Sequence, residues 1–61
     1  MMKEMPEIGS RVRFPWETDE REGVVTEQLG TDTHVPRVRV RPDGETADVE
    51  FRVELVEPVS E

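Results

Sequence analysis

The sequence predicts a single small all-β domain, five short strands closed into a barrel, and three observations predict it. Ten of the twenty apolar residues are valine, against two leucines and one alanine, so β-formers dominate the apolar set and strong helix formers are nearly absent. Apolar and polar residues alternate with period two over several short runs, as half-buried strands require. Turn residues separate the runs, and the clearest separator, Pro42-Asp43-Gly44-Glu45, lies between two alternating runs, where Asp-Gly is a strong hairpin signal.

The first strand is read over residues 10–14, introduced by Ile8-Gly9, with Ile8, Val12 and Phe14 on one face and Arg11 and Arg13 on the other. Pro15 is expected to stop it, and Pro15 to Glu22 reads as a charged loop carrying Trp16. Gly23 opens a second strand over 23–29. Its neighbours Val24 and Val25 point opposite ways, which calls for a bend or a bulge and leaves open which valine faces inward. Residues 30–34 form a polar connection. The third strand covers 35–41, with Val38 and Val40 inward and Pro36 at its start or on an edge.

Asp43-Gly44 is read as the two-residue loop of a type I′ hairpin, with positive φ at both positions. The fourth strand then covers 46–51, with Val40 opposite Ala47 and Val38 opposite Val49 on one face, and Arg39 opposite Asp48 and Arg37 opposite Glu50 on the other. Apolar meets apolar and plus meets minus, whereas a slip of one residue would set valines against carboxylates. Arg52-Val53-Glu54 serves as a tight connection into a short closing strand over 54–57. Closing the barrel would remove the sheet edges of so small a chain. Residues 1–7 are expected to be a loose leading segment, 8–58 the barrel and 59–61 a tail.

Sixty-one residues make one domain at most, since a chain this short buries only roughly 60% of the surface it exposes when unfolded. Without cysteine, neither a disulfide nor a thiolate metal site supplements the core. The absence of cysteine fits the cytoplasm. The longest apolar runs are two residues long and the start, Met1-Met2-Lys3-Glu4-Met5-Pro6, has no apolar h-region, which argues against export and membrane insertion. Fifteen acidic against eight basic residues give a net charge of −7, a field that repels phosphate backbones. Seven arginines to one lysine suggest GC-rich coding and a bacterial source.

The segments Ile8-Gly9-Ser10-Arg11-Val12-Arg13-Phe14, Gly23-Val24-Val25, Val38-Arg39-Val40 and Phe51-Arg52-Val53-Glu54-Leu55 resemble SH3-like barrels. Such barrels include KOW and Tudor-like modules and small subunits that dock on larger enzymes. The resemblance covers about residues 8 to 57 and implies a fold; barrels of this kind host many unrelated roles.

Five of the eight basic residues fall on two runs, Arg11 and Arg13 on one and Arg37, Arg39 and Arg41 on the other. Together they could form a stripe for nucleic acid, or they could be neutralised by cross-strand carboxylates such as Asp48 and Glu50. The hairpin accounts for Arg37 and Arg39, which leaves Arg11, Arg13 and Arg41 as candidate partner contacts. Trp16, beside Pro15 and an acidic cluster of Glu17, Asp19, Glu20 and Glu22, is either an exposed anchor for a partner or a cap over one end of the barrel. Phe14, Trp16 and Phe51 are too few aromatics for a proline-peptide groove or a methyl-lysine cage. His34, near Asp32 in a polar loop, joins the candidate partner contacts. A metal site or general base can be imagined there, but a lone histidine in a loop is more often a solvated side chain. The acidic loop lacks the ligand spacing and turning glycine of a calcium site. No nucleophile elbow, phosphate-cradling loop or HExxH motif occurs. The expectation is therefore a non-catalytic module without cofactor or metal that binds an unidentified protein, with nucleic acid as the alternative ligand and the oligomeric state open.

Overall fold

The computed structural model describes residues 5–59. Residues 1–4 of the expected leading segment and 60–61 of the tail lie outside the described residues. Five antiparallel strands form one sheet: β1 (Arg11–Trp16), β2 (Asp19–Leu29), β3 (Arg37–Pro42), β4 (Val49–Arg52) and β5 (Glu57–Pro58), with a 3-10 turn (Val53–Leu55) before β5. Their order is β4-β3-β2-β1-β5. The all-β expectation holds, but the sheet is not closed: β4 and β5 share no ladder. They remain edges because β5 has only two residues, paired with Val12 and Arg13. Strands β1 and β4 meet through side chains instead, Phe14 and Phe51 lying 4.9 Å apart between ring centroids.

Alternation puts Val12 and Phe14, Val25, and Val38 and Val40 on the inner face, and Val53 and Val56 close the core from the 3-10 turn and the residue after it. Met5, Trp16 and Phe51 pack around them. Ile8, expected inside, is 62% exposed, because Gly9 at φ 94° turns the chain before β1 begins. Met5 packs on the core, and the Pro6 carbonyl accepts a 2.8 Å hydrogen bond from Gln28 Nε2.

Pro15 does not stop β1. Strand β1 runs on through Trp16 and turns at Glu17-Thr18 into β2, so the expected charged loop is largely hairpin. The Val25 amide bonds to the Ser10 carbonyl at 3.0 Å. Antiparallel alternation from that bond points the Pro15 nitrogen away from β2, toward the side where β5 already ends at Arg13. No donor is needed there. The turn is held with Glu17 at φ 56°.

The Val24-Val25 ambiguity resolves with Val25 inward and a bulge between Val25 and Glu27. Thr26 is the extra residue, and past it the inward phase of β2 moves to Gln28, opposite Val38. Gly23 lies against β3 so closely that a Cβ there would sit 2.4 Å from the Arg41 carbonyl oxygen.

The expected register between β3 and β4 is off by two residues. The observed partners are Val38 with Phe51, Arg39 with Glu50 and Val40 with Val49. Asp43 is not left-handed; only Gly44 is, at φ 86°, and Glu45 donates to the Pro42 carbonyl at 3.0 Å. Positive φ at the third turn position alone is the type II pattern, which splays the flanking strands instead of zipping them. Residues 45–48 accordingly leave the ladder and β4 starts at Val49. A slip of two preserves which face each side chain takes, so Val38 and Val40 stay buried. Ala47, placed inside by the shorter loop, is exposed, and Phe51 fills the position facing Val38. Strand three starts at Arg37, leaving Val35 in the loop, and Leu55 belongs to the 3-10 turn.

Candidate functional site

The outer face of the sheet carries the arginines except Arg21, which lies opposite Phe14, and carboxylates meet nearly all of them. Arg11 on β1 grips Asp43 at 2.6 Å and Glu22 at 3.1 Å, and these two partners, Asp43 foremost, hold its guanidinium above its ordinary range. Arg13 lies 3.8 Å from Glu20 and 4.0 Å from Glu57. Arg37 pairs with Glu50 at 2.9 Å, Arg41 with Asp48 at 2.9 Å, Arg21 with Glu45 at 3.2 Å and Arg52 with Glu54 at 3.6 Å. Among the described arginines only Arg39 lacks an ion pair within 4 Å. The Arg37–Glu50 pair forms although the register differs from expectation, because diagonal neighbours on one face remain within reach of long side chains.

Three of these pairs hold the loop between β3 and β4. Its carboxylates Asp43, Glu45 and Asp48 reach back to Arg11 on β1, Arg21 on β2 and Arg41 on β3. Thr26, the bulge residue, donates its hydroxyl to Asp48 at 2.8 Å. That hydrogen bond first, and Arg41 after it, holds the Asp48 carboxyl below the usual carboxylate range. Side chains thus tie down a segment that the ladder does not. Each pair is solvent-exposed, so each adds little to stability. Their effect on the surface is larger than their effect on stability: they cancel positive charge where a phosphate backbone would need it.

Trp16 is half-buried. Its ring meets Phe14 edge-on at 6.0 Å, and the Arg21 guanidinium lies over it at 5.1 Å, itself paired to Glu45. Pro15, next to it, is exposed. Arg21, which sequence reasoning passed over, is thus the residue that covers the tryptophan. Its position opposite Phe14 could be read only once β1 was known to run through Pro15.

His34 is exposed in the β2–β3 loop and lines an open groove with Thr33, Val35, Phe51, Arg52 and Leu55. Val35 and Leu55 are 46% and 47% exposed, two of the three large apolar residues so placed among the described residues. The sequence reading missed both by assigning them to strands. The pattern Val35-Pro36 offered a hint, since a residue before proline is pushed toward extended loop conformations. Among the described residues no three His, Asp or Glu side chains converge on one point as metal ligands do. Among the described residues no helix is long and apolar enough to cross a membrane.

The chain matches no family model, and neither a curated protein nor a solved structure matches it.

Proposed function

We propose that this domain is an SH3-like, non-catalytic interaction module whose ligand is a protein. The four-stranded meander, the 3-10 turn after β4 and the return of β5 to the side of β1 support the SH3-like reading. The observation that carries the choice of ligand is the pairing of Arg11, Arg13, Arg37 and Arg41 with carboxylates across the outer face. A nucleic acid would have to displace those carboxylates on a chain of net charge −7, trading one ion pair for another with no gain from released counterions. A protein surface faces no such barrier, and the groove beside His34 exposes Val35 and Leu55 to one. The cysteine-free composition suits action in the cytoplasm.

The alternative, an arginine face for nucleic acid, would centre on Arg39, flanked by Arg37 and Arg41. Fluorescence anisotropy with labelled single-stranded RNA and duplex DNA at about 20 mM salt separates the two readings. No binding is expected from either probe at high micromolar protein. Binding that weakens steeply as salt rises would overturn the protein-ligand reading.

A further inference from the structure

Among the described residues, strand β4 has β3 on one side and no strand on the other. The Val53 amide donates to the Pro36 carbonyl at 3.1 Å, continuing the register in which Val38 faces Phe51. Alternation from that bond turns the backbone groups of Val49 and Phe51 toward β3 and those of Glu50 and Arg52 outward. The free edge therefore presents two N–H and two C=O groups, on residues of opposite charge that are both exposed.

We propose that a second copy of this chain docks on that edge, β4 against β4 in antiparallel sense, about a two-fold axis through Phe51. In this register Glu50 of each copy lies opposite Arg52 of the other. The outward backbone groups close four hydrogen bonds, and two Glu–Arg cross-strand pairs form on the same face. No neighbouring register does both. A slip of one residue sets outward groups against residues whose own groups already serve β3. A slip of two sets Glu50 against Glu50, or Arg52 against Arg52. Charged edge residues commonly protect a sheet against pairing. Here their alternating sign rejects the slipped strands and accepts this one. The groove that borders β4, with Val35 and Leu55 exposed, lies next to the new junction. This goes beyond the reading above, because it concerns the edge and not the arginine face, and the nucleic-acid titration does not bear on it.

The net charge of −7 on each copy opposes association, so the test is run at about 0.15 M salt, where the screening length is about 8 Å. Sedimentation equilibrium from about 10 μM to 1 mM is expected to show a monomer–dimer equilibrium. Glu50→Arg alone and Arg52→Glu alone should each weaken it at least about tenfold, and the two together should restore it to within about threefold of the parent, because the pairing is then re-formed with the signs exchanged. Amide exchange in the unmodified chain gives an independent readout. The Glu50 and Arg52 amides should slow as concentration rises, while the Phe51 amide, already bonded to β3, should not change. A strict monomer at 1 mM, a dimer indifferent to the single reversals, or edge amides that do not respond to concentration would each overturn the proposal.

Discussion

Val38→Asp should leave no cooperatively folded domain at 25 °C. Val38 is fully buried, with Gln28 of β2 on one side and Phe51 of β4 on the other. Among the described residues no charged side chain is buried in this core that could pair with a carboxylate. An unpaired buried charge costs about 3–5 kcal/mol, and a domain of this size has roughly 3–9 kcal/mol of stability in total. The substitution therefore removes most or all of it. Far-UV circular dichroism during thermal and urea unfolding measures the effect. A melting curve like that of the parent would mean that β3 does not present Val38 to the interior.

Gly23→Ala should be the second most damaging change, although it adds a single methyl group. The new Cβ would lie 2.4 Å from the Arg41 carbonyl oxygen and 2.9 Å from Pro42 Cα. Both are backbone atoms of β3, so no side-chain rotation relieves the clash and the two central strands have to part. Overpacking of this kind costs about 1–3 kcal/mol, occasionally more, and the upper end is expected. Gly44→Ala is the natural comparison. Its Cβ would meet nothing within 4 Å, so its cost is only that of holding φ 86° with a side chain, about 1–2 kcal/mol. Urea midpoints rank the two. If Gly23→Ala were the milder, β2 and β3 would lie farther apart at Pro42 than the structure places them.

Much of this architecture is legible in the sequence because period two is a local signal. Val12, Phe14, Val38 and Val40 announce their face through their neighbours alone, and the Gly23-Val24-Val25 run announces an irregularity that proves to be the bulge after Val25. What is not legible depends on neighbours distant in sequence. Whether Pro15 ends a strand depends on how far β5 reaches along β1, and β5 lies more than forty residues away. The Asp43-Gly44 pair signals a turn correctly, but its type depends on the φ of Asp43, which is set in part by the pull of Arg11 on its carboxylate and by its amide bond to the Glu22 carbonyl. A difference in the conformation of one residue accompanies a β4 register shifted by two. Since two is the period of a strand, that error left faces intact and changed only partners.

The candidate site follows the same division. Cross-strand neutralisation of the arginines could be anticipated from the alternation of Arg and Asp or Glu on facing strands. Arg11 and Arg13, which the sequence left without partners, find them in the loop before β4, in β2 and in β5. Those contacts depend on the meander and on the return of β5. The open edge of β4 was hidden for the opposite reason: a closed barrel would have had no such edge.

The register of β3 against β4 decides which residues face one another and how far the loop between them opens, and nuclear Overhauser contacts between α-protons test it directly. Such contacts are strongest between non-hydrogen-bonded partners, whose Cα atoms are about 4.5 Å apart. The structure requires them between Arg39 and Glu50 and between Arg37 and Arg52. Contacts between Arg39 and Asp48 and between Arg37 and Glu50 would instead mean a hairpin closed tightly at Asp43-Gly44, and would contradict the splayed loop and the ladder that sets Val38 against Phe51.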